Sequence, residues 1–212
     1  MKKFKAYLFD LDGTLVDSMQ TFVDIVVGLL DANNIKYGKD LVKIITPLGY
    51  KGVAEYLVKL GLKMPTDEIY DLMQERALFD YENSIPAKPN VISVLKELKS
   101  QGVSLNVLTA SPHSLLDCCL KRIGIYDLFD NVWSCNDFGM TKTNPEIYVM
   151  SAQKIGVDIS EVLFLDDNLD ANKGAKKSGI NVCGVYDKSS EDYKKEIQQV
   201  ADFYIHNFTE LL

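Results

Sequence analysis

No apolar run in the 212 residues reaches the length of a membrane span, and the first residues lack the apolar core of a signal peptide. Insertion and export are therefore not expected, and the cytoplasm is the expected compartment. Positive charge is in short supply: 23 Lys and Arg stand against 30 Asp and Glu, a net charge of −7. That balance argues against nucleic acid or an anionic membrane as the main partner, but it leaves room for a small anionic substrate at a locally positive site. The four cysteines, Cys118, Cys119, Cys135 and Cys183, include no Cys-x-x-Cys pair, which excludes the usual zinc and redox spacings. Cys135 and Cys183 lie in apolar, strand-like stretches where a thiol behaves as a small hydrophobe. The two histidines read as surface residues, His113 at a helix start and His206 near the C-terminus. There is no internal repeat and no low-complexity tract. What remains, 47% hydrophobic and 25% charged, is an ordinary soluble globular composition. The length suits one domain, or a core with a small insertion.

The apolar run at 6–9 is long enough for a short buried strand. From 19 to 30 the pattern turns helical, with Phe22, Ile25, Val26, Leu29 and Leu30 on one face, and the helix is expected to end near Asn33-Asn34. Further helices are predicted over 53–60 and after Pro65-Thr66; no convincing central strand occurs between 18 and 83. Pro86 and Pro89 then make a stiff connection. From Asn90 helices and strands alternate: helices at 91–100, 114–123, 145–155, 169–177 and 191–199, strands at 103–108, 131–135, 162–165, 181–185 and 203–205, and a last helical turn at 208–212. This alternation predicts a Rossmann-like α/β/α parallel sheet with helices on both faces. Ligands of such sheets gather at the carboxyl ends of the strands, which would collect Asp10, Thr109 and Asp166-Asp167 on one edge. The expected organisation is a core of 1–17 and 86–212, with an all-helical cap at 18–85 inserted in the position of a lid.

Four stretches carry possible chemistry. Phe9-Asp10-Leu11-Asp12-Gly13-Thr14 runs a buried strand into two carboxylates and a bend. Two acids in different environments there could serve as nucleophile and proton carrier; a plain strand ending in an Asp-Gly turn fits as well. Thr109-Ala110-Ser111 ends another strand, so the Thr109 hydroxyl and the free N–H of Ala110 suit a phosphate oxygen, or simply cap the next helix. Lys142 precedes Thr143-Asn144-Pro145-Glu146-Ile147-Tyr148, where a lysine is ordinarily solvated. Leu163-Phe164-Leu165-Asp166-Asp167-Asn168 drives an apolar strand into adjacent carboxylates, costly unless a cation or donors satisfy them. Hard oxygen ligands favour Mg²⁺; an exposed acidic loop is the alternative.

Phe-Asp-x-Asp-Gly-Thr-Leu-Val-Asp-Ser resembles the first motif of the haloacid dehalogenase-like superfamily. Thr109 matches the family's second motif. Lys142 with Pro145, Glu146, Ile147 and Tyr148 matches the third, although Thr143 replaces its usual first proline, and Asp166-Asp167 matches the fourth. The resemblance implies a phosphohydrolase in which Asp10 is phosphorylated and Asp12 moves protons. Lys142, Thr109 and the Ala110 N–H would meet the phosphoryl oxygens. Mg²⁺ would be held by Asp10, the Asp12 carbonyl and Asp167, with Asp166 a second ligand or an outer acid and Asp170 a weaker outer candidate. It also implies a helical cap whose closure excludes water. In the cap, Tyr50 and Lys51, on the glycine-framed loop 46–52, could select substrate; a solvated helix start is equally compatible. The implied substrate is a small phosphorylated metabolite, phosphoglycolate or a sugar or polyol phosphate. The near alternative, a sugar phosphomutase, usually carries a histidine where this chain has Phe22, and a dehalogenase lacks Asp12. A non-catalytic phosphometabolite-binding relative would be expected to lose one of Asp10, Asp12, Lys142 or Asp167. The sequence leaves oligomeric state open, with a monomer plausible.

Overall fold

All four side chains of β1 (Ala6–Phe9) are apolar and buried, as a strand covered on both faces requires. The computed structural model describes residues 4–45 and 48–212. In it β1 lies at the centre of a six-stranded sheet, parallel to β2 (Ser104–Thr109) on one side and β4 (Val162–Asp166) on the other. The order is β3-β2-β1-β4-β5-β6, where β3 is Asn131–Ser134, β5 Asn181–Val185 and β6 Phe203–Ile205. Every pairing is parallel, so all strands deliver their carboxyl ends to one edge. The strand order reverses direction at β1. Right-handed crossovers therefore put α5 (Val91–Ser100) and α6 (His113–Arg122) on one face. The same rule puts α7 (Glu146–Ile155), α8 (Leu169–Ser178) and α9 (Lys194–Val200) on the other.

The two faces are packed differently. Under α7 and α8, Leu8, Leu108, Val162 and Phe164 meet Ile147, Tyr148, Ala171 and Ala175 in one buried cluster. Tyr148 stands edge-on to Phe164 with ring centroids 4.8 Å apart, a pairing worth about 1 kcal/mol beyond its burial. On the opposite face Tyr7 and Phe9 stack, and Phe9 stacks on Phe208.

The chain divides into two compact units, Met1–Ser18 with Ile85–Leu212, and Met19–Ser84. The second is helical: α1 (Met19–Ala32), α2 (Leu41–Ile45), α3 (Gly49–Lys59) and α4 (Thr66–Asn83). It buries Ile25, Val26 and Leu30 from α1 with Ile69, Met73 and Ala77 from α4. Arg76 pairs with the buried Asp80 one turn on, at 3.2 Å.

The sequence pattern misses several details. The short α2 is not anticipated, and the expected loop at 46–52 is helical from Gly49 onward; its Thr46 and Pro47 lie outside the described residues. The helix predicted over 191–199 is a 3-10 segment, Lys188–Tyr193, running into α9. Asp187 accepts the N–H of Ser189 at 2.8 Å and so starts that tighter winding. The last turn, Phe208–Leu211, is likewise 3-10. Cys135 lies past β3 at the start of a 3-10 turn rather than in the strand. None of the four cysteines is in a disulfide; Cys118 is half-buried and the others are buried. Among the described residues no helix is long and apolar enough to cross a membrane.

Candidate active site

The edge where β1 and β4 end is built first by the chain just past β1. Asp10 extends the ladder by one bond, its N–H donating to the Leu165 carbonyl at 2.9 Å. The chain then coils back on itself: Leu15 and Val16 both donate to the Leu11 carbonyl, at 2.8 and 3.0 Å, and Gly13 donates to Val16 at 3.0 Å. Gly13 has φ +73°, and a Cβ there would lie 2.6 Å from the Asp167 carboxylate. Only glycine permits both the left-handed turn and that approach. The next residue, Thr14, is fully buried and donates its hydroxyl to Asp167 Oδ1 at 3.2 Å.

At the end of β4 both acids are buried. Asp166 Oδ1 accepts the Asn168 N–H at 2.7 Å, and the Asn168 side chain caps α8 by accepting from Asp170 and Ala171 at 2.9 and 3.1 Å. Asn172, one turn into α8, donates its amide to the carbonyls of Asp166 and Asn168 at 3.0 and 2.9 Å. Its Oδ1 is left buried with no hydrogen-bond partner. Such a group costs about 1–3 kcal/mol, tolerated where the amide fixes the loop that carries two acids.

Lys142 enters from the segment before α7. Its ammonium donates to Asp10 Oδ1, and to Asp166 Oδ2 at 2.7 Å, with its side chain only 10% exposed. The Tyr148 hydroxyl donates to the carbonyls of Lys142 at 2.8 Å and Ala171 at 3.0 Å, tying this segment to α8. The helix approaches so closely at Gly174 that a Cβ there would sit 2.1 Å from the Lys142 carbonyl.

Charge at this edge is not balanced by protein cations alone. Burial, more than any neighbour, raises the Asp10 carboxyl to about 7; Lys142 opposes the rise while Asp166 and Asp12 add to it. Asp167 is pushed well above the ordinary carboxylate range by burial and then by Asp166, Asp10 and Asp187. Burial disfavours the Lys142 charge, but Asp10 and Asp166 outweigh it and hold the ammonium charged. Asp10, Asp166 and Asp167 can each offer a carboxylate oxygen within 4.8 Å of the others. All three are buried oxygen donors, and burial above all raises the carboxyls of Asp10 and Asp167; such a set fits a hard divalent cation.

Other sequence-predicted residues fall into place unevenly. The Asp12 carboxylate, half-buried, accepts from the Ser18 hydroxyl at 2.6 Å and from the Ser111 hydroxyl at 2.5 Å, so one acid joins the ends of β1 and β2. Thr109 is buried at the end of β2 and its Oγ1 accepts the Ser111 N–H at 3.1 Å in a local turn, while α6 starts beyond it with Pro112 as its N-cap and no side-chain cap bond. Ala110 is exposed just beyond it. Asp170 is 74% exposed beside Lys173 and stays outside the acid cluster. In the helical unit Tyr50 is half-buried with its ring edge-on to Phe22 at 5.2 Å, and Lys51 is exposed. His113 bridges Asp117 at 3.0 Å and Asp137 at 2.9 Å and begins α6; His206 is exposed.

Sequence reasoning gave no role to Ser18, Ser111, Thr14, Asn172 or Lys88. The hydroxyls stand within or beside the quoted motifs, which was the available signal. Lys88 has none.

Residues 4–179 match the family model of haloacid dehalogenase-like hydrolases. The glyceraldehyde 3-phosphate phosphatase of Methanocaldococcus jannaschii is 29% identical over 224 residues, covering 98% of this chain and 95% of its own. Pyrophosphatase PpaX of Bacillus velezensis is 27% identical over 185 residues, covering 87% and 84%. Among solved structures, a predicted phosphoglycolate phosphatase from Haemophilus somnus has a TM-score of 0.80 at 25% identity, over 100% of this chain and 97% of that one.

Proposed function

The chain belongs to the haloacid dehalogenase-like hydrolases, and we propose that within them it is a Mg²⁺-dependent phosphatase of a small phosphorylated metabolite, acting through an aspartyl-phosphate on Asp10. The observation that carries the reading is the buried group of Asp10, Asp166 and Asp167 with Lys142 on two of its three carboxylates. The relatives bear names of phosphatases for three different small phosphorylated compounds, which supports the substrate class and leaves the individual substrate open.

Asp10 is the nucleophile in this proposal. Its carboxylate oxygen bonds to phosphorus as the ester oxygen departs. Asp12 gives the leaving oxygen a proton, then takes one from the water that cleaves the acyl-phosphate, so inorganic phosphate leaves and both acids return to their starting state. The Ser18 and Ser111 hydroxyls hold the Asp12 carboxylate from either side, limiting its freedom during both transfers. Lys142 favours the ionised form of Asp10 against its burial and neutralises charge on the transferring group. Thr109 and the Ala110 N–H are assigned to the phosphoryl oxygens.

Asp10, Asp167 and the Asp12 carbonyl would hold the Mg²⁺, with Asp166 as a further ligand or outer acid. When bound, the ion supplies the positive charge that lets two raised carboxyls ionise together and offsets charge on phosphorus. The unit Met19–Ser84 is proposed as the cap, with Tyr50 and Lys51 as selecting residues. A mutase is less well supported because the Phe22 position, packed on Tyr50, offers no titratable group.

The test is phosphate release from phosphoglycolate, hexose and polyol phosphates, glyceraldehyde 3-phosphate, pyrophosphate and nucleotides, in Mg²⁺ and in EDTA. Release confined to Mg²⁺ supports the proposal and its best ester narrows the class. Equal release in EDTA, or none from any compound, contradicts it.

A further inference from the structure

Lys88 lies in the proline-framed connection before α5, away from every recognisable motif, yet its side chain is only 13% exposed. Its ammonium donates to the Gly13 carbonyl, to the Tyr186 carbonyl at 2.9 Å and to Asp187 Oδ2 at 2.7 Å. Three acceptors match the three N–H bonds of an ammonium. The Lys88 backbone N–H adds a bond to the Leu15 carbonyl at 3.0 Å. One residue therefore ties the turn after β1 to the end of β5, across β4.

That turn is the piece of the site that Lys88 holds directly. It carries Asp12, the glycine that lets Asp167 come close, and Thr14, whose hydroxyl bonds Asp167. On the far side Asp187 is itself fixed by the Ser189 N–H and hydroxyl at 2.8 and 2.6 Å. The 6%-exposed Asp187 carboxylate would be an uncompensated buried charge without Lys88. Lys142 plays the equivalent part on the other flank, holding Asp10 to Asp166. The two flanks of the site are thus each tied by a largely covered lysine, of which sequence pattern reveals one.

We propose that Lys88 is a positioning residue for the metal-binding side of the site, holding the Asp12–Thr14 turn against Asp167 through the Gly13 carbonyl. The inference rests on the metal-dependent reading of this site and deepens it. It predicts that a neutral side chain at 88 weakens the hold on Mg²⁺ while leaving the ester-binding side intact. A purely electrostatic role predicts the opposite sign: removing a nearby positive charge and freeing Asp187 would tighten cation binding.

The experiment is calorimetric titration of Mg²⁺ into wild type, Lys88→Met and the double variant Lys88→Met with Asp187→Asn. The double variant removes the orphaned carboxylate and so keeps the fold where the single variant loses it, without restoring the tie to Gly13. We expect the Mg²⁺ dissociation constant to rise about tenfold or more in both, the usual scale for outer partners of a metal site. At saturating Mg²⁺ the KM for the best ester should stay at the wild-type value. A double variant that binds Mg²⁺ as tightly as wild type, or either variant binding it more tightly, overturns the inference. Failure of the wild type to bind Mg²⁺ would instead remove the metal-dependent reading itself.

Discussion

Lys142 is a single ammonium shared by two buried carboxylates, Asp10 at 9% and Asp166 at 1% side-chain exposure. Lys142→Met should lower stability by about 3–5 kcal/mol, because it strands charge that burial already opposes. Urea unfolding would check this. The deficit should shrink in mild acid, where Asp10 can take up a proton; a loss below 1 kcal/mol at neutral pH would argue that the pair is solvated in solution. At this scale Asp10, Asp166 and Asp167 were legible in the sequence because an apolar strand running into them makes their charge expensive, whereas Lys142, ordinarily solvated before a helix, was legible only through the motif it resembles. The supporting hydroxyls were not. Ser18 and Ser111 look like any helix-start serine until folding brings them to opposite sides of Asp12. Thr109 Oγ1 accepts the Ser111 N–H in a local turn and does not cap α6, whose N-cap is Pro112.

Among elements, the approach of α8 to the Lys142 segment sets the tightest tolerance. Gly174→Ala would place a methyl 2.1 Å from the Lys142 carbonyl, so helix or lysine must move. The expected cost is about 1–3 kcal/mol of stability, together with a fall in kcat larger than any change in KM, since the displaced group is Lys142. Thermal unfolding and steady-state kinetics would both report it, and wild-type kcat in this variant would contradict the packing argument. The strands and long helices were readable because their signals are local: buried β1 is a continuous apolar run, and α7 and α8 follow proline or a capping asparagine. Close approach is not local. Gly174 reads as one small residue among several in that helix, and its reason lies 32 positions away (174 against 142). Gly49, read as loop, begins α3 instead, and the winding at Lys188–Tyr193 follows the Asp187 side chain rather than hydrophobic periodicity.

For the whole molecule, the cation-free protein should become less stable as pH rises through neutrality. Asp10 has its carboxyl raised from about 3.8 to about 7, and Asp167 shifts the same way. The folded state then binds more protons than the unfolded chain over that interval. Their contribution is full below about pH 4 and lost as pH climbs past about 7. Asp187, lowered because Lys88 and Ser189 outweigh its burial, contributes in the opposite sense and only in acid. A cation bound to the folded state reverses the main trend, since binding stabilises by mass action and competes with those protons. Added Mg²⁺ should therefore raise the thermal midpoint more at about pH 8 than at about pH 5.5; an equal shift at both would count against Asp10 and Asp167 as ligands. The central claim is that this cluster transfers phosphoryl groups through Asp10. It is tested most directly by phosphate release from the best ester with wild type and Asp10→Asn, each in Mg²⁺ and in EDTA. The account predicts release by wild type in Mg²⁺ alone, with Asp10→Asn folded and slower by about 1,000-fold or more. Release by Asp10→Asn within tenfold of wild type, on the order expected for a merely supporting residue, would contradict it.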